Sequence, residues 1–454
     1  MDVIGRWLGR LAMLAGAALI LYIAVVLVSG TLAAVDQTTA KPSGAAADIR
    51  NSRNNRTLFL RGRRIFRHDT FGDEAFWGGA LQLHRAIAGG RNGGVGPGVS
   101  PRTALAVGLK VDATAIPKKT AAAIKAGRVN LDDPAVTVAL LKLDAVVGVK
   151  GFFNRSGRMT SIGLTCASCH SIVDDSFAPG IGRRLDGWPN RDLNVGAIIG
   201  LAPNKKPITD LLGVDEPTVD RVLASWGPGK FDAALFLDGN AFRPDGKTAA
   251  TLIPPAFGLA GVNLATYTGW GSVTYWNALV ANLEMHGRGN FDDDRLDDAA
   301  QFPVAARARF GHVRNRPDRI TPKLPALHFY QLAIPAPNPP KGYFNAAAAR
   351  RGRTLFNGKG QCQTCHMQPI GTEAGWNLVE PADICTDAFT ADRSPTRRYR
   401  TTPLDGIFAR TKGGFYHDGR YATLMSVVEH YNSCMNLNLS AGEKGDLVQY
   451  LRSR

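Results

Sequence analysis

Apolar residues recur at three- and four-residue intervals through much of the chain, the spacing that gathers them on one face of a helix. After the polar segment His68-Asp69-Thr70-Phe71-Gly72-Asp73-Glu74, the positions of Trp77, Leu81 and Leu83 predict a helix. Pro117 opens another, and Asp132-Asp133-Pro134 supplies the cap and first-turn proline of a third that runs to about Val147. Residues 216–226 read as helical. Tyr275 and Trp276 begin a run that continues through Leu279, Leu283 and Met285 and that His286-Gly287 ends. Further on, Ala346 to Phe356 and Thr423 to Tyr431 carry the same pattern. Ser440-Ala-Gly-Glu443 is a capping box opening a last helix with Leu447, Tyr450 and Leu451 on its apolar face. Strand patterns are few. The expected fold is mainly α, with long irregular loops.

The loops are marked by glycine and proline. Gly89 to Pro97 is glycine-rich but lacks the strand–turn–helix setting and the lysine of a phosphate cradle, so no nucleotide is assigned to it. Phe177 to Asp192 is an irregular wrap whose Arg183, Arg184 and Arg191 read as surface charges or as partners for a buried anion. Pro254-Pro255-Ala-Phe257 interrupts the chain. The polar, proline-punctuated stretch 287–325 is the expected domain boundary, and Leu324 to Tyr330 leads into the C-terminal domain.

At the N-terminus, Arg6 and Arg10 precede an apolar run from Leu11 to Val28, 18 residues long. That is longer than the usual signal-peptide core and slightly short of a spanning helix. An uncleaved anchor to the inner membrane is the favoured expectation for residues 1–34, with a cleaved signal peptide as its rival. Either places the remaining chain outside the cytoplasm, on the periplasmic side. Residues 35–60 are polar and without period, which predicts a linker.

The 454 residues suffice for two or three domains, and neither the 44% hydrophobic nor the 20% charged content is unusual for a globular protein. The formal net charge of +16 is read first as a solvated basic surface, with an acidic redox partner or an anionic membrane surface as the alternative, and nothing resembles a nucleic-acid module. Six cysteines change the picture most. Four fall in Cys166-Ala-Ser-Cys169-His170 and Cys362-Gln-Thr-Cys365-His366. Cys-x-x-Cys-His is the attachment signature of c-type haem: two thiols become thioethers to the haem vinyl groups, and the histidine that follows stands under the iron. A redox dithiol or half a zinc site is the bland alternative, but no βαβ pattern surrounds either copy. Two covalently bound haem c groups are expected, one in an N-terminal domain over 61–325 and one in a cytochrome c domain over 326–454. In an oxidising compartment the remaining Cys385 and Cys434 are expected to pair, closing a loop worth roughly 4 kcal/mol in chain entropy.

Tyr399-Arg-Thr-Thr-Pro-Leu-Asp-Gly-Ile-Phe, then Gly414-Phe-Tyr-His417-Asp-Gly-Arg-Tyr-Ala-Thr-Leu, then the closing helix resemble the second haem domain of the bacterial di-haem cytochrome c peroxidase superfamily. That superfamily includes the enzyme that matures the quinone of methylamine dehydrogenase, and the di-haem rubber oxygenases. The resemblance covers about residues 345–454. Cys362 follows Cys166 by 196 residues, a spacing similar to that of the oxygenases. By the positions of their distal aromatics, the resemblance carries over Tyr275, Trp276 and Phe291 as residues near the first haem. It also implies a ligand to the second iron fourteen residues beyond His417, at Tyr431, with Met435, Met425 and His430 close by as rivals.

No histidine lies between His170 and His286, so the first haem is expected either to be open or to be capped by His68, His84, Met285 or His286. Glu284, beside the aromatic pair, is the candidate distal acid or base. The resulting expectation is an oxidoreductase that uses peroxide or O₂ at the first haem. Electrons would come through the second, from a small redox protein or a membrane donor, with Trp276 or Trp188 as relay or pocket residues. The alternatives are a non-catalytic electron-transfer cytochrome and an oxygenase that cleaves an apolar substrate.

Overall fold

The computed structural model describes residues 44–454. Helices carry most of its regular structure, and the strands occur only as two-stranded pairs, so the fold is mainly α. The first helix, α1 (Gly44–His68), begins well inside the stretch 35–60 that was expected to be a linker without regular structure. The polar composition hid it because the buried positions it offers, Gly62, Ile65 and Phe66, come only at its end. Gly62 is needed there. A Cβ at that position would sit 1.9 Å from the carbonyl oxygen of Ala326.

The helix expected through Trp77, Leu81 and Leu83 is broken. A π-helical turn, Ala75–Ala80, ends at Leu81, Gln82 adopts φ 56°, and α2 (Leu83–Ala88) starts afresh. The third expected helix, α3 (Pro134–Lys142), is capped by Asp133 as predicted but stops short of Val147. Asp144 turns to φ 53°, and Val147 then donates to the carbonyl of Lys110 at 2.8 Å instead of continuing the helix. The antiparallel pair β1 (Val149–Phe153) and β2 (Met159–Leu164) delivers the first cysteine motif, which forms the single turn α4 (Ala167–His170).

Downstream, α5 (Glu216–Trp226) matches its predicted span. Ser272 caps α6 (Val273–Leu279), which continues as a π turn, Val280–Glu284. The stretch 287–325 contributes Leu296, Phe302 and Ile320 to the core, all fully buried. After α7 (Leu324–Leu332), the C-terminal segment builds on α8 (Ala346–Asn357), α9 (Leu424–Cys434) and α10 (Ala441–Arg452). The expected capping box at Ser440 and Glu443 is present, and Thr423 and Ser426 form a second one on α9. Gly352 lets α8 cross α10 closely, since a Cβ there would lie 2.0 Å from Asp446 O. One apolar cluster belongs to this segment alone: Phe356, Leu404, Ile407, Leu424, Val428, Leu447, Tyr450 and Leu451 are among its members.

The membrane anchor, and the localisation built on it, need correction. Among the described residues no helix is long and apolar enough to cross a membrane. The longest, α1, is studded with Arg50, Arg53, Arg56, Arg61, Arg63 and Arg64, each costly in hydrocarbon. The apolar run within residues 1–34 lies outside the described residues.

Cys385 and Cys434 are bridged, tying the end of α9 to the loop 49 residues before it. Replacing both by serine is expected to cost about 3 kcal/mol in denaturant unfolding, somewhat under the loop-entropy figure because unfolded chains keep residual structure. A loss under about 1 kcal/mol would show that packing, not the crosslink, holds this loop.

Candidate haem sites

Both cysteine motifs open onto one cavity of about 370 Å³, lined by Cys166 and His170 on one side and by Cys362, Cys365 and His366 on the other. The four motif cysteines are unpaired, in contrast to Cys385 and Cys434. The two histidines are held alike. His170 Nδ1 lies 3.1 Å from Pro254 O, and His366 Nδ1 lies 2.9 Å from Gly371 O. A ring nitrogen beside a carbonyl must carry the proton, which leaves Nε2 with the lone pair a metal needs. Burial holds both imidazoles down to about 4, so they are neutral near pH 7.

These features fit a haem at each motif: two free thiols, a neutral imidazole with its outer nitrogen oriented by a backbone carbonyl, and a largely apolar cavity. The sequence around each motif explains the placement. Asn190 N donates to Cys169 O at 2.8 Å and Gly187 N to His170 O at 2.8 Å, so the wrap after the first motif closes directly on it.

On the first-motif side the cavity is lined by Val273, Trp276, Val280, Ala281 and Met285. Trp276 is one of them, and its Nε1 is enclosed without a partner. Tyr275 and Phe291 do not line the cavity. Tyr275 follows the other face of α6, its hydroxyl donating to Asp293 and accepting from Trp270 Nε1 at 2.6 Å. Phe291 packs against Tyr275 with ring centroids 5.8 Å apart, inside a core cluster. Tyr275 is held away from the cavity by these bonds to Asp293 and Trp270, so of the aromatic pair only Trp276 lines it.

Glu284 is not a cavity-lining residue either, but its Oε1 is enclosed and unpartnered. Burial, with Asp232 adding, raises its carboxyl to about 8. It sits near enough to Cys169 to raise that thiol beyond the effect of burial. Of the four residues named as caps for the first motif, only Met285 lines the cavity. His286 stacks on Phe76 at 3.6 Å.

Around the second motif, Tyr431 and Met435 both line the cavity. They are four residues apart, so they fall on the same side of α9 and its cap. The other two rivals do not join them. His430 has Nδ1 on Tyr421 Oη at 2.7 Å and Nε2 on Ile384 O at 2.9 Å, which leaves no nitrogen for a metal, and Met425 does not reach the cavity. His417 is 3% exposed, stacks on Tyr399 at 5.1 Å and lines the cavity. Trp188 packs edge-on between Phe257 and Phe408, outside the lining.

Sequence reasoning missed Tyr267, Arg400 and Arg410, which also line the cavity. Tyr267 and Arg400 lie in irregular segments and Arg410 ends the short 3-10 turn Ile407–Arg410, and in neither setting does a period separate a buried arginine from a surface one. Neither a family model nor a curated protein matches the chain. Among solved structures it is similar to hydrazine synthase from Kuenenia stuttgartiensis, with 17% identity over 49% of this chain and 86% of that one and a TM-score of 0.25. It is also similar to a MauG-like protein associated with microbial copper homeostasis, with 17% identity over 48% and 76% of the two chains and a TM-score of 0.31. Likenesses this distant carry no argument about the site. The residues have to carry it.

Proposed function

We propose that both Cys-x-x-Cys-His segments hold covalently attached haem c, and that the chain is a di-haem oxidoreductase of the cytochrome c peroxidase superfamily. The first motif would be the reactive centre for peroxide or O₂, and the second would receive electrons from a small redox protein. The observation that carries this reading is the shared cavity: both motif histidines line it, each with Nδ1 committed to a backbone carbonyl.

The iron, when bound, supplies the redox chemistry, with its behaviour set by axial ligand and access. The chain's residues divide that work unequally. At the second motif, Tyr431 and Met435 offer an oxygen and a sulfur on the cavity side, which suits a fully ligated electron-transfer site. At the first, an apolar wall of Val273, Val280, Ala281 and Met285 is broken by Asn277, Gln331 and the unpartnered Trp276 Nε1, which suits a small oxidant. Glu284 keeps a proton beside Cys169 at neutral pH. The position of Met285 favours a second reading, an electron-transfer cytochrome in which both irons are fully ligated.

Electron paramagnetic resonance of the oxidised protein separates the two. A high-spin ferric signal that hydrogen peroxide removes is the expected result. Low-spin signals alone, indifferent to peroxide in oxidised and half-reduced samples, would leave only the electron-transfer reading.

A further inference from the structure

Three arginines line the cavity, and among the described residues none of them meets a carboxylate. Arg191 and Arg410 are 7% and 6% exposed, and Arg400 is half-buried. Each is bonded to backbone carbonyls: Arg191 Nη1 donates to Lys412 O at 3.3 Å, Arg400 Nη1 to Leu264 O at 2.8 Å, and Arg410 Nη2 to Pro403 O. The Nε of all three is enclosed without a partner. Carbonyl oxygens solvate a guanidinium but do not neutralise it.

Taking an ion out of water costs several kcal/mol unless an opposite charge accompanies it. Burial lowers all three, and Arg410 acts unfavourably on Arg400 and Arg191 on Arg410; Tyr267 beside all three, and Asp405 near Arg410, offset only part of this. A fold that buries like charges together, each with an unused donor, is incomplete without an anion.

The cluster is also placed between the motifs. Arg191 follows Asn190, whose amide is bonded to Cys169 O. Arg410 is close enough to His366 to oppose its protonation.

We infer that Arg191, Arg400 and Arg410 form a single cradle, drawn from both halves of the chain, for the carboxylates of the groups held at the two cysteine motifs. The inference rests on the haem reading above, because haem brings two propionate carboxylates. A diffusible carboxylate would satisfy the same donors, and the test separates the two sources. Guanidinium charge beside a haem carboxylate favours the reduced iron. Removing that charge leaves the carboxylate uncompensated and favours the oxidised iron.

The experiment is a redox titration of the haem-loaded full chain and of Arg191→Gln, Arg400→Gln, Arg410→Gln and Arg410→Lys, with and without added acetate. Haem content is measured first. The expected result is two haems in the parent, at least one midpoint shifted negative in each glutamine variant, recovery towards the parent value in Arg410→Lys, and no effect of acetate. Where Arg410→Gln loses a haem that Arg410→Lys keeps, the charge requirement is likewise supported. Midpoints unchanged in all three glutamine variants that retain two haems overturn the cradle alone. A parent midpoint that follows acetate, with the response gone in the variants, overturns the cofactor as the source of the anion. A parent without haem overturns the haem reading instead.

Discussion

With Cys166 and Cys169 both changed to alanine, the chain is expected to carry one covalent haem instead of two and to lose its spectral response to peroxide. The two thiols stand three residues apart, Cys166 at the N-cap of the short helical turn α4 and Cys169 within it, with His170 at its end. Burial pushes both up to about 12, so neither is a ready nucleophile or metal thiolate in the chain as it stands. A redox dithiol would call for the opposite, a lowered thiol pKa. The double variant leaves the second motif intact, because Cys362, Cys365 and His366 belong to a segment with its own apolar cluster. Haem counted per chain by its pyridine complex, before and after denaturation in acid acetone, reads the result. Two haems retained by the variant, or none in the parent, would sink the assignment of the first motif.

The parts of this molecule written in local sequence were legible. Ser440 and Glu443 announced α10 because a capping box is a short-range hydrogen-bond pattern. The cysteine motifs were legible because each is a contiguous pattern of five residues, and the structure brings both to one cavity. The ends of elements were not. The helix expected to reach Val147 ends at Lys142 because a strand pair and the Lys110 carbonyl compete for the following backbone, and neither is visible from residues 134–147. The helix α1 was missed for a related reason: its apolar contacts concentrate in the last turns, so no period runs through residues 44–60.

The site divides in the same way. Trp276 and Tyr275 were paired by position, yet only Trp276 lines the cavity, because Tyr275 is held by Asp293 and Trp270, partners that its position in the helix does not reveal. Tyr431 and Met435 remain together because both reach the same space, whereas His430, an equal in sequence, is used up by Tyr421 and Ile384. Of the arginine cluster only Arg191 stood out in the sequence, as one of three candidates to pair with an anion. Residues 191, 400 and 410 meet only through the tertiary fold.

Arg393→Ala is expected to produce the largest loss of stability among single substitutions outside the cysteine motifs, at the upper end of about 3–5 kcal/mol. Arg393 Nε donates to Asp238 Oδ2 at 2.6 Å and Nη2 to Asp238 Oδ1 at 3.0 Å, while Nη1 and Nη2 reach Asp232 Oδ2 at 3.2 Å. The side chains are 6%, 2% and 1% exposed for Arg393, Asp232 and Asp238. Removing the guanidinium therefore strands two buried carboxylates, a heavier penalty than losing a surface pair. Asp232 is also the charge that, after burial, raises Glu284, so the clamp sits one step from the first motif. Combining Arg393→Met with Asp232→Leu and Asp238→Leu should recover much of the loss, since it removes the charges along with their partner. Urea unfolding of the haem-loaded proteins measures both effects. A midpoint for Arg393→Ala close to the parent would mean that the triad is hydrated, and that the two carboxylates do not depend on Arg393 to remain in the core.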